Sequence, residues 1–244
     1  MRDFGFRTAD YAKWQAVQNK ESTAANARER AFLMLRDKII YMDLKPGEPV
    51  SDKLLAEQLE MSRTPVREAL ILLSAYNMVV LKPQSGTFVV PIDSEQVAVE
   101  QFSRMAMEKE IIKLACAQKH DGLADAYREN INKFQTCKIC GEADRIRRLH
   151  DLDNNFHGLA FASVGKLNSF RHMHSYMQHI ERLRVLTLTM GADQTINDDH
   201  EKIARAIIEG DKQAAITALE EHLSSYQQTL KLAETQYPEY FVLG

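Results

Sequence analysis

Residues 62–70 read SRTPVREAL, and this short stretch decides how the N-terminal part of the chain folds. Pro65 suits the first turn of a helix, because the N–H that proline lacks would have no helical partner there. Ser62 or Thr64 can cap the free amides at the same helix start. The stretch therefore predicts a helix that runs from Pro65 to Tyr76.

The segments around this helix complete a recognisable motif. Residues 24–43 carry apolar side chains at helical spacing and stop before Pro46, which cannot continue a helix. A second, short helix is predicted over Leu54–Leu59. Residues 79–90 form two β-branched runs around a polar tip, which is typical of a hairpin. Three helices followed by a hairpin are the elements of a winged helix-turn-helix, whose third helix enters the major groove of DNA.

The start of the third helix carries side chains suited to DNA. Arg63 and Arg67 are four residues apart and therefore project from one side of the helix. Arginine fits the two acceptors that guanine presents in the major groove. Polar residues nearby can hold phosphates, and a glycine at the tip of the hairpin allows close approach to the DNA backbone. The candidates for DNA contact are Lys53, Arg63, Thr64, Arg67 and Gly86.

Charge gives no independent support for a nucleic-acid partner. The chain has 31 Lys and Arg against 34 Asp and Glu, a formal net charge of −3. Residues 1–93 contain 13 basic and 12 acidic side chains, which is not the basic surface expected of a DNA-binding domain. On charge alone, Arg63 and Arg67 could belong to a solvated helix start and pair with Glu60 or Glu68. The order of the elements therefore carries the DNA-binding interpretation.

The rest of the chain is predicted to be helical. After Pro91 no proline occurs until Pro238, and apolar residues recur at helical spacing without a period of two. The later predicted helices lie around 168–190, 197–209 and 211–234. The predicted fold is mainly α, with an N-terminal winged helix-turn-helix and a C-terminal all-α antiparallel helical bundle. The predicted division is an arm at 1–22, the winged helix-turn-helix at 23–93 and the bundle at 94–244.

All eight histidines lie in the predicted bundle. Asp153 and His157 are four residues apart, so they share a helix face and could bind one metal ion. His200 lies at a predicted helix start, and His222 lies within a later helix among apolar residues. Spacing does not show whether these four side chains meet. Three further histidines are interpreted as surface or hydrogen-bonded side chains: His172, His174 and His179.

The cysteines and the N-terminus bear on compartment. Three cysteines are too few for a disulfide framework, and the charged first residues lack the apolar core of a secretion signal. No apolar run reaches the roughly 18 residues that a membrane span needs. We therefore expect a cytoplasmic protein with no membrane partner. Cys137 and Cys140 could form half a zinc site or a redox pair, but without a second pair they are interpreted as unrelated thiols near an inter-helix turn.

The N-terminal part resembles the DNA-binding domain of GntR-type bacterial transcription regulators over about residues 30–92. The motifs that carry the resemblance are LKPG at 44–47, LAEQL at 55–59, SRTPVREAL at 62–70 and Pro83-x-x-Gly86. The resemblance implies that Arg63 and Arg67 contact bases and phosphates, with the other three candidates at further contact positions. The sequence departs from the family pattern at Asp43, Asn77 and Ser85.

Residues 95–235 are similar to the FCD-type effector domain of the FadR branch of this superfamily. In that domain an Asp-x-x-x-His pair and two later histidines form a metal site, and Arg104 fits an arginine that points toward the effector pocket. Gly165 replaces an asparagine that is common in the family. The metal ligands implied by the resemblance are Asp153, His157, His200 and His222.

The resemblance implies a homodimeric transcription factor, not an enzyme. Three imidazoles and one carboxylate leave one or two positions open on a divalent ion, with Zn the first candidate and Ni, Mn or Fe as alternatives. An open position beside Arg104 suits a small organic-acid effector. In a dimer, the two winged helix-turn-helix domains would each bind one half-site of double-stranded operator DNA. The alternatives are a regulator with a purely structural metal and a metal-dependent hydrolase, for which Glu108 or Asp199 are nominal bases.

Overall fold

The computed structural model describes residues 27–117, 120–137 and 141–242. The arm predicted at 1–22 and Cys140 of the C-x-x-C pair lie outside these residues, and Cys137 is partly buried. The first part of the described chain contains three helices and three short strands. They are α1 (Ala27–Ile40), β1 (Pro49–Val50), α2 (Asp52–Gln58), α3 (Arg63–Ala75), β2 (Val79–Lys82) and β3 (Gly86–Val89). This arrangement confirms the predicted winged helix-turn-helix.

The inward faces of α1 and α3 form the core of this unit. Leu35 and Ile39 of α1 are fully buried, as are Val66 and Leu73 of α3. Residues four and seven apart lie on one helix face, so each helix turns a single apolar side inward. Burying a side chain of this size contributes about 1.5–3 kcal/mol. The packing of these two faces leaves the start of α3 exposed at the surface.

The two ends of α3 differ from their predictions. The helix begins at Arg63, two residues before Pro65. Ser62 occupies the N-cap position, but its side chain makes no capping hydrogen bond to the described residues, and Thr64 lies inside the first turn. The capping prediction is therefore wrong. After the helix, Asn77 has a φ of 55°, so asparagine provides the left-handed backbone for which glycine is the usual residue.

The wing contains one strand more than the predicted hairpin. β2 and β3 pair antiparallel, from Val79 opposite Val89 to Lys82 opposite Gly86. β1 pairs antiparallel with the other side of β3, which gives the strand order β1-β3-β2. Because β1 has only two residues, it is too short for an alternating pattern to be recognised in the sequence.

From Ser94 onward the described chain is predominantly helical, as predicted. Its helices are α4 (Ser94–Cys116), α5 (Leu123–Gln135), α6 (Glu142–Ser163), α7 (Leu167–Tyr176), α8 (Gln178–Thr189), α9 (Asp193–Glu209), α10 (Lys212–Ser224) and α11 (Tyr226–Gln236). The predicted segment around 168–190 is interrupted at Met177, and the one around 211–234 is interrupted at Ser225. None of the helices in the described ranges is long and apolar enough to cross a membrane.

Buried polar side chains of α8 form hydrogen bonds with the segment that connects the DNA-binding unit to the helical domain. Arg182 is fully buried and donates hydrogen bonds to the main-chain oxygens of Val90 and Gln178. The Nδ1 atom of His179 accepts a hydrogen bond from the amide of Asp93 at 3.0 Å. Burial lowers the pKa of His179 to about 4, so the ring is neutral and can accept. The chain that leaves the wing is thus tied to the helical domain.

Candidate metal centre and nucleic-acid interface

Three helices of the C-terminal domain bring the four predicted ligand residues together. Asp153 and His157 lie one turn apart on α6, His200 lies on α9 and His222 on α10. One donor atom from each residue lies within 4.8 Å of the other three. The first three side chains are buried and His222 is partly buried. Phe156 stacks on the ring of His200, with centroids 3.7 Å apart, and so restrains its orientation.

The donor atoms that face one another lack ordinary partners. Asp153 Oδ1, His157 Nε2 and His200 Nε2 are all buried and make no hydrogen bond to the described part of the chain. Asp153 Oδ1 lies 3.1 Å from His200 Nε2 and 3.6 Å from His157 Nε2. A buried polar atom left without a partner costs about 1–3 kcal/mol. A cation among these atoms would satisfy all of them at once, so the residues present fit a metal ion.

The protonation states also fit a metal centre. Burial lowers the pKa of His200 to about 3 and lowers the pKa of His222 as well. Both rings are therefore neutral near pH 7 and keep a lone pair for a metal. Burial alone would raise the pKa of Asp153, but Arg184 and the neighbouring imidazoles hold it well below its usual range. The site therefore offers an anionic oxygen from Asp153 and neutral nitrogens from His200 and His222.

Two carboxylates orient the histidine rings from outside the cluster. Glu108 Oε2 lies 2.7 Å from His157 Nδ1, and its Oε1 accepts a hydrogen bond of 2.7 Å from Arg104 Nε. Burial alone would raise the pKa of Glu108, but His157 and Arg104 hold it well below its usual range. Asp199 Oδ2 lies 3.4 Å from His222 Nδ1. Each contact occupies Nδ1 and leaves Nε2 for the centre, as carboxylates behind metal-binding histidines commonly do.

A small cavity of about 60 Å³ lies beside the cluster, and Asp153 and His222 form part of its wall. Arg104 also lines it. Its Nη2 atom is buried and has no hydrogen-bond partner within the described residues. The cavity thus combines two of the candidate metal ligands with an uncommitted guanidinium nitrogen, which is a suitable donor for a carboxylate.

Arg184, which the sequence analysis did not single out, is the main counter-charge of the cluster. It donates two hydrogen bonds to Asp153 Oδ2, of 2.6 and 3.2 Å. It also donates to Asn154 Oδ1 at 2.6 Å and to Glu181 Oε1. Nothing in the spacing of the two arginines of α8, Arg182 and Arg184, singles out the second one, so only the packing of α8 against α6 identifies it.

The polar chain continues from Arg184 to the DNA-binding unit. The carboxylate of Glu181 lies 3.0 Å from His150 Nε2 and 3.3 Å from His174 Nδ1. On its other side, His150 Nδ1 lies 3.1 Å from the hydroxyl of Tyr41, which follows α1. All of these side chains except Tyr41 are buried. His150 was not among the predicted site residues, and its single position in α6 gave no motif from which to predict it.

The predicted DNA-contact residues lie on the exposed side of α2, α3 and the wing. Lys53, Thr64 and Arg67 are exposed. Arg63 is also exposed, and its Nη2 donates to both carboxylate oxygens of Asp52 at 2.8 and 3.0 Å. The alternative pairing with Glu60 or Glu68 is therefore wrong for Arg63. An exposed ion pair of this kind contributes only about 0–1 kcal/mol, so Arg63 can exchange it for a DNA contact.

Gly86 begins β3, the central strand of the wing, and has a φ of +107°, a left-handed conformation that other residues rarely adopt. A Cβ atom at this position would meet nothing within 4 Å. The backbone conformation, and not a lack of space, is therefore the reason for glycine at this turn.

Comparison with known proteins accounts for both units. Residues 27–89 match the family model of bacterial regulatory proteins of the gntR family, and residues 102–225 match the FCD domain. The chain belongs to the GntR family. It is a transcriptional regulator with a DNA-binding helix-turn-helix domain and an FCD effector-binding domain.

Relatives and solved structures agree with this assignment. A helix-turn-helix transcriptional regulator of Streptomyces ambofaciens is 30% identical over 216 residues, which cover 88% of this chain and 89% of the relative. The transcriptional repressor RspR of Escherichia coli is 22% identical, covering 92% of this chain and 98% of its own. The solved structure of E. coli McbR superposes with a TM-score of 0.69 at 21% identity, covering 86% of this chain and 98% of McbR. This last likeness establishes the fold.

Proposed function

We propose that this regulator binds operator DNA through the start of α3 and the wing, and that a small carboxylate bound beside a metal ion controls its affinity for the operator. The observation that carries the proposal is the convergence of four metal-ligand side chains beside the uncommitted Nη2 of Arg104. A purely structural site would need no free donor next to the metal. A site that receives an anionic ligand needs one.

The proposed ligands of the metal are Asp153, His157, His200 and His222. Three nitrogens and one oxygen suit Zn, with Ni, Mn or Fe as the other candidates. The bound ion would supply positive charge and an open position for one carboxylate oxygen of the effector. Arg104 would bind the carboxylate through Nη2, while Glu108 keeps its guanidinium in place through Nε.

The buried polar chain offers a route from this site to the DNA-binding unit. It runs from Asp153 through Arg184 and Glu181 to His150 and then to Tyr41, which belongs to the DNA-binding unit. A ligand that changes the charge around Asp153 would alter the polar contacts along the chain. It could thereby favour one arrangement of the two units over another, which is a shift in a pre-existing population.

The proposed DNA-contact residues would be present twice, once in the DNA-binding unit of each subunit of a dimer. We propose a homodimer, because two DNA-binding units related by a two-fold axis match two operator half-sites. Arg63 and Arg67 would contact bases or phosphates in the major groove, and Lys53, Thr64 and Gly86 would hold the backbone.

The experiment that tests the proposal measures operator affinity in defined ligand states. An operator is selected from random duplexes, and its Kd is measured by fluorescence anisotropy with metal-free protein, with zinc-loaded protein, and with zinc plus acids of two to four carbons. We expect one or more acids to change the Kd of the zinc-loaded protein only. If chelation lowers the thermal midpoint while no acid binds or changes the Kd, the metal is purely structural and the effector proposal is wrong.

The DNA-contact part has its own test in the same assay. Arg63→Ala and Arg67→Ala should each weaken operator binding roughly 5- to 150-fold, since a good arginine–base contact is worth about 1–3 kcal/mol. Arg128→Ala, which removes an exposed arginine of the helical domain, is the matched control and should leave the Kd unchanged. Unaltered binding by both head variants would refute the assignment of α3 as the recognition helix.

The hydrolase alternative gains no support from its two nominal bases. Glu108 is held between Arg104 and His157, and Asp199 contacts His222 and Lys202. Both carboxylates are therefore already engaged in contacts with neighbouring side chains, and neither is free to act as a general base.

A further inference from the structure

A larger cavity lies in the cleft between the DNA-binding unit and the helical domain. Its volume is about 330 Å³, against about 60 Å³ for the cavity beside the metal centre. Pockets that bind small molecules usually have volumes of about 300–1,000 Å³. One side of the cleft is formed by α1, Tyr41 and Tyr76, and the other side by residues of α6, α7 and α8. None of the four proposed metal ligands is part of its wall.

Aromatic side chains give this interdomain cavity an apolar wall. Phe32 of α1 and Tyr76, which follows α3, have ring centroids 5.6 Å apart. Phe170 of α7 lines the cavity from the helical domain, and so does Tyr41 from the DNA-binding unit. Phe32, Tyr41 and Tyr76 are only partly buried, so their rings are accessible to a molecule in the cleft. Such a wall can cover an apolar body and also attracts a cation near the ring faces.

Acidic side chains outnumber arginines around the cavity. Its wall contains the carboxylates of Glu29, Asp37, Asp151 and Glu181 and the guanidinium groups of Arg36 and Arg171. Glu181 already pairs with Arg184, which lies outside the wall. The other three carboxylates still exceed the two guanidinium groups, so the cleft favours a ligand with a positive charge.

Two of these carboxylates, one from each unit, lie beside Tyr41. Asp37 is one helical turn before Tyr41, whose amide donates to the main-chain oxygen of Asp37 at 2.9 Å. Asp151 of α6 accepts a hydrogen bond from the Tyr41 hydroxyl at 3.4 Å, and Asp37 lies 3.7 Å from Arg36. Both contacts are long, and neither carboxylate is fully buried. Both can therefore take a stronger partner from the cavity.

These features define complementary groups on a ligand. We propose that the interdomain cavity binds a small organic cation with an aromatic or other apolar body, such as an arylalkylamine. The ammonium group would lie beside Asp37 and Asp151, and the apolar body would pack against Phe32 and Tyr76. A cavity of about 150 Å³ holds benzene, so this one admits a molecule of roughly ten non-hydrogen atoms. The ligand would contact both units, at a site that requires no metal.

The test compares four compounds that separate charge from apolar surface. Phenethylamine carries both an ammonium group and a ring, 2-phenylethanol is its neutral analogue, 3-phenylpropionate is an anion with the same ring, and butylamine is a cation without a ring. Binding to the EDTA-treated full chain is measured by titration calorimetry at pH 7, where alkylamines are protonated. We expect phenethylamine to bind about tenfold or more tightly than each of the other three.

Variants locate the bound ammonium group. Asp151→Asn keeps the shape of the wall but removes a charge, so it should bring the ratio of Kd between phenethylamine and 2-phenylethanol close to one. Both compounds are measured on one protein, so a general loss of stability does not affect this ratio. Asp125→Asn, which removes an exposed carboxylate of α5, should retain the ratio of the wild type. Arg104→Ala, in the other cavity, should also leave phenethylamine binding unchanged.

The outcomes are independent of the proposed carboxylate effector, because the protein is metal-free and the cavity is a different one. Absence of phenethylamine binding overturns the site. Equal binding of phenethylamine and 2-phenylethanol, or tighter binding of 3-phenylpropionate, overturns the preference for a cation. An unchanged ratio in Asp151→Asn, or loss of binding in Arg104→Ala, overturns the placement of the cation in the interdomain cavity.

Discussion

Replacing Arg184 by methionine should destabilise the protein by about 3–5 kcal/mol, the usual cost of removing one partner from a buried ion pair. Its side chain is 9% exposed, and those of its partners Asp153 and Glu181 are 6% and 2% exposed. Methionine fills much of the same space but provides no hydrogen-bond donor. Both carboxylates would then be buried without their main counter-charge, which is the physical origin of the expected loss.

The assay is urea unfolding of the EDTA-treated full chain, followed by circular dichroism at pH 8. The midpoint should fall at an unchanged slope, and the thermal midpoint should fall by roughly 6–20 °C for a chain of this length. Arg128→Met is the matched control. Its pair with Asp125 is exposed, with 72% and 82% of the two side chains accessible, so it should cost only about 0–1 kcal/mol.

The loss of stability caused by Arg184→Met should also depend on pH. Burial alone would raise the pKa of Glu181, but Arg184 and His174 hold it well below its usual range. In the wild type the stabilisation from this depressed pKa is fully present above the unfolded pKa of about 4.3, so it is constant from pH 8 to 5. Without Arg184, burial raises the pKa, and protonation of Glu181 relieves the penalty as the pH falls. The difference in the free energy of unfolding between the wild type and Arg184→Met should therefore become smaller toward pH 5.

Two results would refute this reasoning. A loss no larger than that of Arg128→Met would mean that the network around Arg184 contributes nothing beyond a surface pair. If the difference in the free energy of unfolding between the wild type and Arg184→Met stays constant or grows from pH 8 to pH 5, then no buried carboxylate loses its counter-charge in the variant.

Further predictions concern the metal, the effector and the coupling between the two units. His157→Ala should abolish stoichiometric zinc binding in elemental analysis, while His172→Ala, at an exposed position, should retain it; full zinc in the first variant would disprove the site. Arg104→Ala should weaken acid binding in calorimetry about tenfold or more, with little change in zinc content, and equal loss of both would contradict its assigned role. Tyr41→Phe removes the hydroxyl that meets His150, so it should reduce the effect of the acid on operator affinity without weakening acid binding. An unchanged response would exclude the Tyr41 contact from the coupling route.

The DNA-binding unit could be predicted closely because its elements depend on neighbouring residues. Proline at the start of α3, the stop after α1 and the β-branched runs of the wing each act over a few positions. Apart from the start of α3 and its missing side-chain cap, the errors concern contacts that are not local. Arg63 pairs with Asp52, eleven residues away, and β1 became recognisable only through its partner β3.

By itself, the sequence determined the two units, their helical or winged character and the Asp153–His157 pair, since residues four apart on a helix share a face. Only the tertiary structure decided that His200 and His222 join that pair, because this depends on how α9 and α10 pack against α6. The same is true of Arg184, whose importance lies in the partners that it gains after folding. Interactions between distant parts of a chain leave no periodic signal, and they become visible only once the helices are assembled.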